Sequence, residues 1–185
     1  MIRLPIVLAA LGFSAFVFAQ AAIPNSDPPA PTREEIWAAI QPQAARYRID
    51  PAFIFALVAA ESNFNPLASN GEARGLLQIK PAAWDMVSTA PYETAVWDWR
   101  TNLEVGIDYL AFTRSQLHRK GVEFSYPRLV AGYHYGLGYL EKRRYDLAHV
   151  PVPNNVIYRK LWSGNLNPVP VPALPETSGG LDPQV

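Results

Sequence analysis

Glu61 is the side chain of this 185-residue sequence most suited to acid–base chemistry. A helix is predicted over residues 51–64, and Glu61 lies near its C-terminal end, after a run that is apolar on every face. Desolvation and the partly negative end of the helix dipole both favour the neutral carboxylic acid, so we expect its pKa to be raised. A carboxyl group that is still protonated near neutral pH is what a general acid needs. The alternative is a glutamate that extends into solvent where the helix reaches the surface.

Two capping patterns predict the helices that position Glu61. Thr32 and Glu35 have the spacing of a capping box, which predicts a helix over residues 33–47 that Pro42 should bend or interrupt. Asp50, followed by a proline, predicts the start of the apolar helix. That helix is shorter than the roughly 20 residues needed to cross a bilayer, so we expect it to be the buried centre of the domain.

The rest of the sequence predicts more helices and very little strand. Residues 65–79 are irregular with at most a small β-hairpin, and residues 90–99 are predicted to be a loop. Further helices are predicted over residues 81–88, 102–120, 127–134, 140–147 and 155–162. The predicted fold class is therefore all-α, or α-dominated with a small hairpin beside the helix that carries Glu61.

Composition excludes several kinds of function. The chain has 16 basic and 16 acidic residues, whereas a nucleic-acid-binding protein normally has a clear basic excess. It has no cysteine, which excludes a disulfide framework, a thiolate metal site and a cysteine nucleophile. Its three histidines are scattered and do not form a zinc-binding pattern. We therefore predict neither a nucleic-acid partner nor a metal.

The two ends of the chain are predicted to lie outside the folded domain. Residues 1–21 combine an arginine, an apolar run and a small-x-small cleavage pattern, as in a cleaved export signal. The alternative for this segment is a retained membrane anchor. Residues 22–31 and 163–185 are rich in proline and are predicted to be an extended linker and a flexible tail. Residues 32–162 are then the single folded domain.

Short motifs spread over residues 45–162 resemble those of the soluble lytic transglycosylase (SLT) family, whose members share the lysozyme-like fold. The family has a Glu-Ser pair at a helix end, then Asn-Pro, a serine and a Gly-Leu-Met-Gln segment. The corresponding residues here are Glu61-Ser62, Asn65-Pro66, Ser69 and Gly75-Leu76-Leu77-Gln78. Downstream positions that match the family are Asn102, Gly106, Tyr109-Leu110, Tyr133, Pro153 and Tyr158. The order and spacing of these motifs carry the resemblance.

The sequence departs from the family at the third motif, which is Ala-Tyr-Asn-Ala-Gly in the family. Tyr133 is kept, whereas His134 and Tyr135 stand where the family has Asn and Ala. His134 could take over the hydrogen bonding of the asparagine, change the contacts with a ligand, or bond only to nearby backbone. Leu77 replaces a methionine, which is a change of similar volume that a core tolerates.

The resemblance implies cleavage of the β-1,4 bond between N-acetylmuramic acid and N-acetylglucosamine in peptidoglycan, without metal or cofactor. It implies that Glu61 is the single acid/base, that the products carry 1,6-anhydro ends, and that Tyr133 orients Glu61 through its hydroxyl. The substrate-binding residues expected at the matching positions are Ser62, Ser69, Gln78, His134 and Tyr135, together with Gly75, Leu76 and Leu77 through their backbone groups. Residues that could stack on sugar rings or pack in the core are Trp84, Tyr92, Trp97 and Trp99.

Two other functions fit the same motifs. A hydrolytic muramidase would cut the same bond with water and needs a second carboxylate, for which Glu72 and Asp85 are the candidates. A non-catalytic peptidoglycan-binding or assembly module would keep the fold without turnover. The resemblance places any of these proteins in the periplasm or cell envelope. The expected partners are glycan strands and an envelope or secretion-system protein, and the chain is expected to be a monomer.

Overall fold

The computed structural model describes residues 30–174. The predicted signal peptide, nearly all of the predicted linker and the last part of the predicted tail lie outside these residues. Helix α1, Arg33–Tyr47, begins with the predicted capping box and continues through Pro42 without interruption. Ala38, whose carbonyl loses its helical partner to this proline, is exposed, as is Pro42 itself. Water can therefore replace the missing hydrogen bond, and the helix does not break.

Helix α2, Pro51–Ser62, is the buried centre of the domain, as predicted. Asp50 caps it by accepting hydrogen bonds from two amides of the first turn. Residues 53–59 are all buried, so most of the helix has no face towards solvent. The helix ends at Asn63, which adopts the left-handed conformation with a φ of 51°. Its last turn emerges from the core and carries Glu61.

A small antiparallel hairpin follows α2, also as predicted. Strands β1, Ser69–Asn70, and β2, Ala73–Arg74, pair with each other, and Arg74 forms a further bridge with Ile79. This bridge closes the loop of residues 75–78 against the hairpin. The hairpin and the loop together form one side of the cleft described below.

The middle of the chain contains two single-turn helices and one long helix. Helix α3, Pro81–Trp84, is shorter than predicted, and α4, Tyr92–Ala95, lies where a loop was expected. Such a short turn is fixed by packing of the buried Tyr92 and leaves no periodicity in the sequence. Helix α5, Trp99–Arg119, starts earlier than predicted because Asp98 caps it with its carboxylate.

Three helices complete the C-terminal half: α6, Tyr126–Tyr135, α7, Leu137–Glu141, and α8, Val156–Trp162. The helix expected over residues 140–147 is replaced by the earlier α7 and a short 3-10 turn, Leu147–His149. Gly136, with a φ of 84°, interrupts the helical path at one position only, so the helix resumes at once.

The core forms where α2 packs between α1 and α8, and where α5 packs against α1 and α6. The result is an α-dominated fold with a small hairpin, which confirms the predicted fold class. The packed chain extends past the expected boundary at residue 162, because Val169 is buried and Leu166 and Val171 pack against the core. These apolar residues are interleaved with prolines, so the proline-rich composition of the segment gave no indication that it packs against the core. No helix within residues 30–174 is long and apolar enough to cross a membrane.

Candidate active site

Glu61 opens onto a cleft of about 620 Å³ whose lining comes from α2, the hairpin, α3, α5 and α6. The side chain is half-buried at the point where α2 leaves the core. Burial raises the pKa of Glu61 from its ordinary value of 4.5 to about 7, although a hydrogen bond from Tyr158 acts in the opposite direction. At neutral pH the carboxyl group is therefore divided between its protonated and ionised forms, so it can both donate and accept a proton.

Tyr158 is the hydrogen-bond partner of Glu61. Its buried hydroxyl, carried by α8, donates to a carboxylate oxygen of Glu61. Asn155 caps α8 by accepting hydrogen bonds from the amides of Ile157 and Tyr158, and its own amide group donates to the Ala60 carbonyl at 3.4 Å. The start of α8 is thus tied to the last turn of α2, which holds the tyrosine beside the acid. The sequence marked Tyr158 only as a family position and assigned it no role.

Tyr133 bonds to the loop of residues 75–78 and not to Glu61. The hydroxyl that was expected to orient Glu61 donates to the Leu77 carbonyl at 2.6 Å. A tyrosine has one hydroxyl hydrogen, so this contact takes the place of the expected one. The ring still lines the cleft, and after the larger effect of burial, the charge of Glu61 raises the pKa of Tyr133. Tyr133 therefore lies close to Glu61 while it fixes the neighbouring loop.

Asn102 holds the same loop from inside the core. Its fully buried side chain accepts a hydrogen bond from the Leu77 amide at 3.0 Å and donates to two backbone carbonyls at 3.0 and 3.1 Å. Gly75, with a φ of 78°, packs so closely that a Cβ would lie 2.1 Å from the side-chain nitrogen of Asn102. The loop therefore has one conformation, set by a glycine and a buried amide.

The residues of this loop differ in their access to a ligand. Leu76 and Leu77 are fully buried, so their side chains lie behind the cleft surface, and only their backbone groups, as the sequence predicted, could contact a ligand. The amide and carbonyl of Gly75 are also occupied, the amide donating to Ala68 and the carbonyl accepting from Gln78. Gln78 does line the cleft. Its side-chain nitrogen donates to the carbonyls of Ala68 and Gly75, so the side-chain oxygen is the atom that could accept a hydrogen bond from a ligand.

The two serines expected at the site lie outside the cleft lining. The hydroxyl of Ser62 donates back along α2 to the Val58 carbonyl at 3.1 Å, and Ser69 is exposed on β1. Neighbouring residues of a strand face opposite sides, so Asn70 lines the cleft in place of Ser69. The sequence did not predict Asn70 as a site residue, because a strand of two residues is too short to show an alternating polar and apolar pattern.

His134 and Tyr135, which the sequence analysis expected at the site, both line the cleft at the end of α6. The imidazole packs edge-on against the rings of Tyr158 and Tyr135, with centroid distances of 4.8 and 4.6 Å. Burial, together with the charge of Lys80, lowers the pKa of His134 below 6.5, so the imidazole is mainly neutral at pH 7. His134 therefore faces the cleft and also supports the tyrosine that bonds to Glu61.

The other candidate aromatic residues have structural roles. Trp84 and Tyr92 are buried. The Trp84 indole donates to the Ala90 carbonyl at 2.7 Å, and the Tyr92 hydroxyl shares its hydrogen between the carbonyls of Glu72 and Ile79, at 2.7 and 2.8 Å. In the described part of the chain the cleft is lined by neither of them, nor by Trp97 or Trp99. No group of three or more histidine or acidic side chains within residues 30–174 could hold a metal ion.

Comparison with known proteins places the chain in a family. The Transglycosylase SLT domain matches residues 38–147. Membrane-bound lytic murein transglycosylase E of Buchnera aphidicola subsp. Acyrthosiphon pisum is 31% identical over 81 residues, which cover 40% of this chain and 37% of that protein. An inactive mutant of the lytic transglycosylase Slt from Pseudomonas aeruginosa has a similar fold, with a TM-score of 0.50 at 20% identity. The similarity covers 68% of this chain and 20% of that chain.

The matched region contains most of the site. Residues 38–147 include Glu61, the hairpin, the loop of residues 75–78 and all of α6, whereas Tyr158 lies beyond the match. The chain spans little more than a third of the curated relative and a fifth of the solved structure. The solved structure supports the α-dominated fold, and the family match covers more than half of the sequence. The chain belongs to the transglycosylase SLT domain family, with a lysozyme-like fold.

Proposed function

We propose that this protein is a peptidoglycan lytic transglycosylase that cleaves the β-1,4 bond between N-acetylmuramic acid and N-acetylglucosamine. The observation that carries the proposal is a single carboxyl group, Glu61, with a pKa raised to about 7 and access to a cleft. Family membership and the lytic murein transglycosylase named among its relatives support the choice of substrate. The products carry 1,6-anhydro ends.

Glu61 begins the reaction as a general acid. Its protonated carboxyl group transfers a proton to the glycosidic oxygen, and the bond from that oxygen to the anomeric carbon breaks. Positive charge develops on the muramic acid ring, and the acetamido oxygen of the same sugar stabilises it. The acetamido oxygen takes the place that a second carboxylate has in an ordinary retaining glycosidase.

Glu61 completes the reaction as a general base. The carboxylate takes the proton of the sugar's 6-hydroxyl, and the oxygen closes on the anomeric carbon to form the anhydro ring. Glu61 ends protonated, as it began, and no water is consumed. Tyr158 stabilises the intermediate ionised state of Glu61 because its hydroxyl donates to the carboxylate. A pKa near 7 suits a group that must take both forms in one turnover.

The hydrolytic alternative lacks a second carboxylate at the cleft. Glu72 and Asp85 are both exposed, and among the residues the structure describes neither lines the cleft. A retaining or inverting glycosidase places its two carboxyl groups about 5–9.5 Å apart across the bond that is cut. The charged lining contributed by the described residues contains one acid, Glu61, which favours the intramolecular route.

We also propose that the protein acts at the bacterial cell envelope, as an exported monomer. Support comes from the export-signal pattern of residues 1–21 and from the substrate, which lies outside the cytoplasm. An envelope or secretion-system protein is the proposed partner, and the segment to test for it is the part of the proline-rich tail that follows the packed Val171, residues 172–185.

Mass spectrometry of the products tests the reaction. Purified peptidoglycan is digested by the wild type, by Glu61→Gln and by Asp85→Asn, which removes a nearby exposed carboxylate as a control. We expect anhydro-muropeptides from the wild type and from Asp85→Asn, and none from Glu61→Gln. Reducing-end products would assign a muramidase. Binding to peptidoglycan without cleavage by any of the three proteins would assign a non-catalytic module.

A further inference from the structure

Lys80 places a basic side chain in the lining of the cleft. Among the described residues that line the cleft, the basic side chains are Lys80 and His134, and the acidic one is Glu61. Because Glu61 is largely neutral below pH 7, its charge does not cancel that of the lysine there. The cleft therefore has a local excess of positive charge in a chain whose total charge is balanced.

The backbone holds Lys80 firmly at the edge of the cleft. The preceding carbonyl, of Ile79, accepts hydrogen bonds from the amide of Arg74 and the hydroxyl of Tyr92. The carbonyl of Lys80 accepts from the amides of Ala83 and Trp84 at 3.0 Å. The side chain itself is exposed, and within residues 30–174 it forms no ion pair. The ammonium group is thus free to meet an anion from outside the protein.

His134 lines the same cleft as Lys80. Burial and, to a smaller extent, the charge of Lys80 lower the pKa of His134, which agrees with the position of both residues in the lining of this cleft. A carboxylate bound between them would relieve this repulsion and accept hydrogen bonds from both. The imidazole is held for this contact by its packing against Tyr158 and Tyr135.

On the basis of the proposed function, we infer that Lys80 and His134 form a subsite for a carboxylate carried by the glycan strand. N-acetylmuramic acid differs from N-acetylglucosamine by a lactyl group that ends in a carboxyl group. In a strand stripped of its stem peptides this group is a free carboxylate. In a peptide-bearing strand it is an amide, and the nearest carboxylates belong to the peptide. The subsite would distinguish the two sugars and set the position of the strand relative to Glu61.

Binding by the full chain tests this subsite without turnover, with Glu61→Gln present in every protein. The ligands are soluble glycan strands in three forms: with stem peptides, stripped of them by an amidase, and stripped and then neutralised by amidation of the lactyl carboxyl groups. The variants are Lys80→Gln, Lys80→Arg and, as a control with the same change of charge, Lys142→Gln. Lys142 is exposed and is not part of the cleft lining.

We expect Lys80→Gln to weaken binding to a carboxylate-bearing strand about fivefold and to leave binding to the neutralised strand unchanged. Lys80→Arg should keep most of the affinity, and Lys142→Gln should not change it. A larger loss with the stripped strand assigns the lactyl carboxylate, and a larger loss with the peptide-bearing strand assigns a stem-peptide carboxylate.

Two results would overturn the inference: equal losses on charged and neutralised strands, or no loss on any of them. The cleavage assay with the wild type is a separate measurement. If Lys80 favours binding of carboxylate-bearing over neutralised strands but the wild type cleaves no peptidoglycan, only the proposed function is contradicted. If the wild type cleaves peptidoglycan but Lys80 does not favour carboxylate-bearing strands, only the subsite is contradicted.

Discussion

Two tyrosine–carboxyl pairs, built from similar parts, lie beside different cavities of this domain. The hydroxyl of Tyr158 donates to Glu61 at the cleft of about 620 Å³. The hydroxyl of Tyr47 donates to Asp108 at 2.6 Å, and both residues line a larger cavity of about 1040 Å³. Each pair joins residues that are far apart in the sequence and that belong to different helices. Of these two cavities, size alone would favour the one beside Tyr47 and Asp108.

The surroundings of the two carboxyl groups differ more than the pairs themselves. Glu61 ends a helix that is apolar on all sides, and burial raises its pKa to about 7. Asp108 lies on α5, beside a cavity also lined by the basic side chains Arg114, His118 and Arg119. The hydrogen bond to Asp108 and then burial raise the pKa of the Tyr47 phenol. Desolvation of the acid, and not the size of the cavity, identifies the group suited to proton transfer.

Replacing each acid by its amide gives the largest expected contrast. Glu61→Gln should lower the rate of peptidoglycan cleavage by about 10³-fold, because the amide cannot donate a proton to the leaving oxygen. Asp108→Asn should leave the rate within about twofold of the wild type, since this side chain lies at the other cavity. Initial rates of muropeptide release measure both, with thermal melts to confirm that each variant is folded. Comparable losses in the two variants would refute the assignment.

The raised pKa of Glu61 also predicts how stability depends on pH. A carboxyl group with a pKa of about 7 in the folded protein and 4.5 in the unfolded chain holds its proton more tightly when folded. Its contribution to stability is complete below pH 4.5 and is lost as the pH rises through 7. Between pH 4 and pH 8 the wild type should lose up to about 3 kcal/mol of unfolding free energy that Glu61→Gln keeps. Urea unfolding at both pH values measures this, and parallel pH dependences would contradict it.

The sequence predicted those parts of the site that depend on local rules. The capping residues and the apolar run predicted α1, α2 and the burial of Glu61, because caps and helical periodicity act within a few residues. The raised pKa of Glu61 was predicted from its place at the end of an apolar helix, and burial is its main cause. The hairpin was predicted from the irregular, glycine-containing segment after α2.

The parts that the sequence did not predict depend on long-range packing. The tyrosine that bonds to Glu61 is Tyr158, which lies 97 residues away, and not Tyr133. Which hydroxyl reaches the acid depends on how α8 packs on α2, and the hydrogen bond from the Asn155 side chain to the Ala60 carbonyl is one of the contacts between the two helices. The family position of Tyr158 was the only indication in the sequence. For Lys80 the sequence gave no indication of a role, since an exposed lysine before a proline has no distinguishing pattern.

Removing only the hydroxyl from each tyrosine gives the smallest expected difference in activity between the two sides, and the one most specific to the hydrogen bonds. The Tyr158 hydrogen bond lowers the pKa of Glu61, so Tyr158→Phe should raise that pKa further and move the alkaline limb of kcat/KM to higher pH. Turnover should fall about tenfold, because the ionised form of Glu61 loses a donor. Tyr47→Phe should keep the wild-type pH profile and reduce the unfolding free energy by about 1 kcal/mol. A profile of Tyr158→Phe that is unchanged, or moved to lower pH, would show that this hydroxyl does not favour the ionised acid. Tyr158 would then differ from Tyr47 only in lying beside the cleft, and not in its effect on the pKa of the neighbouring acid.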